Sequence, residues 1–370
     1  MILPRRRRLN GNTDKSILYT YDLSGRLVQS MVRDGSVYIR PSYDEKNLTT
    51  GIKYKFSGTT GSMTYTYNEK MDNAPAKSDF GSGAVTVAKY DALGRRSTYA
   101  AMLANTKYIY MEGYDYLDNP TDSTKTSGTV STLSFANINV PSLSYSYDSN
   151  GNITQISPSD NSGDYRYTYD KHDQLLTAYS AKDGYYIKYT YDYGGNITSK
   201  RYYNAEDQST LEKSVSYVYS DSSWKDKLTM YNGKPITYDE IGNMLSFDSQ
   251  NFSWVGRRLV NYTKGSVDTD YIYNSDGIRT QKTVGTVTTD YLVNGTQILA
   301  ERRGGTMIKY FYDSDGRRAA FKTGNKYYFY VYNIQGDVTH IVDMDRNIVA
   351  SYDYDPYGKI LNLDTLTDIG

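Results

Sequence analysis

The chain has 370 residues, in which 42 Lys and Arg balance 42 Asp and Glu, with no Cys and two histidines, His172 and His340. Disulfides and thiolate metal clusters are excluded, a zinc site built on imidazole has almost no ligands, and balanced charge without a basic stripe speaks against a nucleic-acid partner. Only 38% of residues are hydrophobic, yet 43 are Tyr against 8 Phe and 2 Trp, so any buried surface has to come largely from tyrosine rings. Tyr and Thr favour pleated surfaces while Gly, Asn and Asp favour tight turns, which predicts an all-β protein.

Residues 1–18 form a basic polar N-terminal segment. Arg5 to Arg8 are followed by Leu9-Asn10-Gly11-Asn12 in place of an apolar h-region, so no signal peptide is seen and a solvated tail is expected. A repeat then begins at Tyr19-Thr20-Tyr21-Asp22, followed by Gly25-Arg26-Leu27: two aromatics one residue apart, an Asp or Asn, and a Gly three residues on. Weaker copies follow at Tyr43-Asp44, Tyr67-Asn68 and Tyr90-Asp91 with Gly94-Arg95, giving repeats over 19–118. The stretch 119–144, rich in Ser, Thr, Asn and Pro, is expected to be a loop or a degenerate repeat.

The pattern is sharpest over 145–300. Tyr145-Ser146-Tyr147-Asp148, Tyr167-Thr168-Tyr169-Asp170 and Tyr189-Thr190-Tyr191-Asp192 are spaced by 22 residues, and further copies run through Tyr238-Asp239 and Tyr273-Asn274. Phe252-Ser253-Trp254 replaces the tyrosines in one copy. Such a unit holds two strands and two turns, that is, one hairpin. Residues two apart share a face, so Tyr189 and Tyr191 stand together. Asp192 is placed to cap the turn with its own side chain, and Gly195 to adopt positive φ without a Cβ clash. A lone hairpin buries too little, so successive hairpins have to stack into one array with a ladder of tyrosines. The residue between the two aromatics is polar early (Thr20, Ser146, Thr168, Thr190, Thr237) and apolar late (Ile272, Phe311, Val331), so the second face of the sheet should dry out toward the C-terminus.

Little in this pattern carries chemistry. His172 lies in a turn, and His340 in the strand-like alternation Val338 to Val342. No nucleophile and orienting partner are placed around either one. Asp343 and Asp345 bracket Met344 in a polar segment that a hairpin turn explains, and the further ligands of a calcium loop are missing. Glu301 is expected to be a sheet-edge ion-pair residue. No catalytic, cofactor-binding or metal-binding residue is assigned, and no cofactor is expected. No apolar run approaches the roughly 20 residues of a membrane helix.

The recurrent Tyr-Asp pair with its glycine offset resembles the Rhs family, also called YD-repeat proteins. The most specific part is C-terminal: Tyr312-Asp313-Ser314-Asp315-Gly316-Arg317, then Tyr330 to Val338, then Tyr352-Asp353-Tyr354-Asp355-Pro356-Tyr357-Gly358-Lys359. Residues 301–370 are similar to the start of the Rhs repeat-associated core, and the chain stops twelve residues past Gly358. The resemblance implies tandem hairpins in a curved, spiralling sheet, a partial shell or cocoon, truncated before the core end and toxin. It also implies a non-catalytic role: a shell segment that encloses or presents a C-terminal toxin in bacterial polymorphic toxin systems. Expected partners are an encapsulated polypeptide cargo or adjoining shell segments, and the expected location is secreted or cell surface. The alternatives are an adhesion module for a cell-surface protein or glycan, and an enzyme built on scattered Asp and Tyr residues.

Overall fold

The structure is a computed structural model that describes residues 5–7, 17–32, 34–81, 83–118, 126–205 and 207–365. Its described residues form 33 β-strands and one short 3₁₀ turn, Glu69–Met71. Strand follows strand in antiparallel hairpins, so the all-β, tandem-hairpin architecture expected from the repeat is present. Arg5–Arg7 departs from the expected solvated tail, because its backbone pairs antiparallel with Ile17–Tyr21. Within the interruption 119–144, residues 119–125 lie outside the described set. Thr126–Ala136 is a strand, paired to Leu143–Tyr147 through Thr132↔Ser144 and Leu133↔Leu143.

One turn design recurs. At Asp192 the backbone N–H donates to the Asn196 carbonyl (3.0 Å), and the Asp192 carbonyl accepts from the Gly195 N–H (3.2 Å). The carboxylate accepts from the Gly194 and Asn196 N–H groups, both at 2.9 Å, and from the Asn196 side-chain amide at 3.0 Å. Gly195 has φ +85°, and the ladder slips by one residue between Thr190 and Tyr191. This is a type I turn closed by a glycine bulge, and the Asx-turn anticipated at Asp192 supplies its cap. The Asn196 side chain and backbone N–H hold the Asp192 carboxyl below its ordinary range. The same carboxylate-to-backbone pattern recurs at Asp22, Asp148, Asp239, Asp343 and Asp355. Asn47, Asp173 and Arg346 take the positive-φ slot where glycine is missing.

The two tyrosines of each repeat have different tasks. Tyr145 and Tyr189 are buried in the face of the sheet. The second tyrosine reaches out of its own strand. Between Ile153–Pro158 and Tyr165–Tyr169 the backbone ladder stops at Gln155↔Arg166, and the Tyr169 hydroxyl donates to the Ile153 carbonyl at 2.9 Å. Tyr191 does the same to Leu175 at 2.7 Å, where the ladder ends at Thr177↔Lys188. Tyr43 to Leu27, Tyr332 to Arg318 and Tyr354 to Val338 repeat the bond. In each case the acceptor lies two residues past the positive-φ position of the preceding turn. Trp254 substitutes its indole Nε1–H, which donates to the Met244 carbonyl at 2.7 Å. The ring therefore fills the gap where two strands diverge, and its polar tip satisfies a carbonyl the ladder has left behind.

The chain divides into two compact units. One takes in Met1–Glu112, Ala136–Asn139 and Thr269–Gly370; the other takes in Gly113–Phe135 and Val140–Asp268. In the second unit burial is one-sided. Tyr185, Ile187 and Tyr189 of the strand Tyr185–Tyr191 are buried, while Thr190 is exposed, as are Ser146, Thr168 and Thr237 in equivalent positions. In the first unit one late strand is covered on both faces. Lys326–Tyr332 buries five consecutive residues, Tyr327 to Val331. Phe311 stacks on Phe80 with ring centroids 5.2 Å apart, and the Tyr110 hydroxyl donates to the Tyr330 carbonyl at 2.7 Å. The drying of the second face thus holds for Phe311 and Val331 but not for Ile272, which is 47% exposed.

Tyr191→Phe keeps the ring and removes one hydroxyl. Urea denaturation is expected to show a loss of about 0.5–1.5 kcal/mol, the net value of one hydrogen bond. Gly195→Ala forces a Cβ into positive φ and should cost about 1–2 kcal/mol in the same measurement. An unchanged midpoint in both variants would mean that neither the stitch nor the turn holds the hairpins.

Candidate functional site

None of the residues weighed for chemistry converge. His172 is exposed, and its backbone N–H donates to the Asp170 carboxylate at 2.8 Å as an ordinary turn residue. His340 lies in the strand Val338–Asp343, with Nδ1 3.0 Å from the Thr339 hydroxyl. Asp343 caps the turn to Asn347, and Asp345 points to Lys107 at 3.4 Å. Glu301 is not at a sheet edge. Its strand, Gln297–Arg303, is paired on both sides through Tyr291↔Glu301 and Glu301↔Ile308, because each hairpin continues into the next. Burial pushes its carboxyl up, and the Tyr310 hydroxyl is its hydrogen-bond partner.

A buried cluster in the first unit gathers the charges instead. Glu112, on the strand Lys107–Asp118, is fully buried. It receives both arms of Arg317, with Nη2 to Oε1 at 2.6 Å and Nη1 to Oε2 at 3.1 Å. The Arg317 guanidinium also lies 4.6 Å from the centre of the Tyr99 ring and 4.2 Å from that of Tyr332. Burial by itself would lower the Arg317 pKa, but Glu112 outweighs it and keeps the guanidinium well above its ordinary value. Arg317 is placed by its own turn: its N–H donates to Asp313 Oδ1 at 2.9 Å. The other Asp313 oxygen accepts from the Tyr99 hydroxyl at 3.1 Å, and burial, together with Asp315, pushes the Asp313 carboxyl up.

Asp313 and Asp315 line one small pocket with Ser78, Thr86 and Tyr99. Two carboxylates side by side are the minimum of acid–base chemistry, but here both are engaged. Asp315 pairs with Arg96, and both Asp313 oxygens are hydrogen-bonded. The arrangement binds parts of the fold together. Among the described residues no group of three His, Cys, Asp or Glu is gathered in a way that could hold a metal ion. Glu112 is a residue that sequence reasoning missed. Its signal is one carboxylate at the end of the apolar run Ile109-Tyr110-Met111, and its partner lies 205 positions away.

With this geometry in view, likeness to known proteins can be placed. A profile described as Teneurin YD-shell matches residues 121–365. The chain belongs to the YD-shell family. Among curated proteins it is 30% identical over 199 residues to the tRNA3(Ser)-specific nuclease WapA of Bacillus spizizenii, covering 52% of this chain and 8% of that protein. It is 29% identical over 199 residues to the tRNA nuclease WapA of Bacillus subtilis, with the same coverage of each. The chain therefore spans less than a tenth of these relatives. Among solved structures, a mutant Tc holotoxin pore of Photorhabdus luminescens aligns with 96% of this chain and 18% of its own, at TM-score 0.54 and 17% identity. A TcdB2–TccC3 complex without its hypervariable C-terminal region aligns with 96% of this chain and 24% of its own, at TM-score 0.51 and 12% identity. These structures share the YD-shell fold. No helix among the described residues is long and apolar enough to cross a membrane.

Glu112→Ala would leave Arg317 buried without its partner. A loss of about 3–5 kcal/mol is expected by chemical denaturation, and the double variant Glu112→Leu/Arg317→Met should recover most of it. Asp313 supplies a pH test. Its folded pKa lies above the unfolded value of 3.8, so its contribution is complete below that pH and is lost as pH rises through the folded value. Asp313→Asn, with the residue already used at the same turn position by Asn274 and Asn333, should remove that slope from a plot of stability against pH.

Proposed function

We propose that this chain is a non-catalytic structural segment of a YD-repeat shell that encloses or presents a toxic polypeptide in a bacterial toxin-delivery system. The observation that carries the reading is the YD-shell match over 121–365 in a chain whose hairpins join strand to strand through the tyrosine stitch. Two kinds of relative support the shell role: WapA nucleases, much longer than this chain, and Tc toxin assemblies that share its fold. In this reading the toxic activity resides in a polypeptide the shell carries. The wall contributes exclusion: successive strands pair antiparallel through the hairpins, so most of their backbone polar groups are turned to one another and not to a passenger strand. The partners are the cargo polypeptide and adjoining shell segments, and the place of action is outside the producing cell or on its surface. The engagement of Asp313 by Tyr99 and two backbone N–H groups supports a structural use of the most enclosed carboxylates.

The test fuses a protease-labile, unstructured polypeptide after Gly370 and follows its cleavage by trypsin. A folded shell segment is expected to lengthen the passenger's half-life by about tenfold over the free passenger, with protection lost at the urea midpoint. Equal half-lives for free and fused passenger, in a fusion shown to be folded by its circular dichroism, would overturn the proposal.

A further inference from the structure

The first unit holds a cleft whose charge nothing in the fold balances. It is lined by Lys53, Lys309 and Lys322, by the hydroxyl residues Thr60 and Ser62, and by the aromatic rings of Tyr38, Phe80 and Phe311. No Asp or Glu lines it. In a chain whose charges otherwise cancel, three lysines around one opening are a local imbalance.

The ladder itself creates the imbalance. Lys309, on Thr306–Tyr312, stands directly opposite Lys322, on Arg318–Thr323. Like charges in that position destabilise a sheet. Lys322 is partly relieved by lying 4.7 Å from the centre of the Tyr327 ring, and Lys309 by donating to the Thr60 carbonyl at 2.7 Å. Neither contact cancels the charge. Among the described residues none of the three lysines forms an ion pair. Asp79, beside Phe80, is turned to the Gly81 N–H at 2.9 Å and to Lys77 at 3.9 Å. Arg40 adds a fourth cation nearby, its guanidinium 4.4 Å from the centre of the Tyr38 ring. Burial, and then the nearness of Lys322, lowers the Lys309 pKa, the direction expected of an ammonium held without a counter-charge.

We propose that this cleft is a binding site for a multivalent oxyanion, a ligand carrying two or more carboxylate or phosphate groups that reach Lys53 on one side and the Lys309–Lys322 pair on the other. The lysines supply point charges with rotatable donors, Thr60 and Ser62 supply hydroxyls, and the Phe80 and Phe311 rings give the intervening ligand atoms an apolar floor. This chemistry serves equally a small polyphosphate and an acidic peptide stretch, and it does not depend on the shell reading.

The test is calorimetric titration of the full chain at low ionic strength with inorganic pyrophosphate, with inorganic phosphate, and with an uncapped peptide of alternating Asp and Gly. Pyrophosphate or the peptide is expected to saturate at one site and to bind at least tenfold more tightly than phosphate. The tighter of the two identifies the ligand's source as small molecule or polypeptide, and either supports the site. Lys309→Gln and Lys322→Gln should each weaken binding about tenfold, whereas Lys264→Gln, an exposed lysine of the second unit, should leave it unchanged. Because Lys322→Gln removes a like-charge clash, its thermal midpoint at low salt should equal or exceed that of the parent chain. Absence of saturable binding, parent-like affinity in both cleft variants, or a midpoint lowered by Lys322→Gln would each overturn the assignment.

Discussion

The structure depends on how a carbonyl is satisfied where two strands part. Within each hairpin the ladder is complete up to the turn. Between one hairpin and the next it runs out, as at Gln155↔Arg166, and the strand ends diverge. A carbonyl left there without a partner would cost up to about as much as a lost hydrogen bond, according to how far it is buried. The second tyrosine of the repeat meets both demands, with apolar area along the ring and a donor at its tip. Phe would fill the space without satisfying the oxygen, and Ser would do the reverse. This is a physical reason for 43 tyrosines beside 8 phenylalanines.

The two units apply this device to different ends. In the second unit the stitched sheet keeps one wet face, carrying Ser146, Thr168 and Thr190. In the first, Lys326–Tyr332 is buried on both faces, and Phe80, Met63 and Tyr110 pack onto the strands around it within the unit. The ion pair of Glu112 and Arg317 sits inside that packing, where the carboxylate takes both terminal arms of the guanidinium and two rings flank it, while the buried Arg317 Nε has no hydrogen-bond partner. Arg317 belongs to the turn motif itself, one residue past Gly316. A repeat element thus also fastens segments distant in sequence.

Much of this was legible before any coordinates. Asp192, Gly195 and their counterparts declare the turn, because a carboxylate cap and a positive-φ residue at fixed offset have few other uses. Phe311 and Val331 announced a second buried face by replacing the usual Thr. What stayed hidden depends on distance along the chain. The division of labour between Tyr189 and Tyr191 follows from where the ladder splays, which no spacing encodes. Glu112 needed its partner at Arg317 to be seen. Glu301 was misplaced because strand content says nothing of which strands lie at an edge, and Ile272 is exposed because nothing in its own neighbourhood covers that face.

The stitch has a bearing on how such arrays tolerate evolutionary drift. In these bonds the acceptor is tied to a landmark, the residue two past a positive-φ turn position, and not to a count of positions between it and the donor. That interval is 16 residues for Tyr169, 22 for Tyr219 and 10 for Trp254. Insertions and deletions at the far ends of hairpins therefore leave the bond intact. A lineage can lengthen or trim individual hairpins without renegotiating the wall.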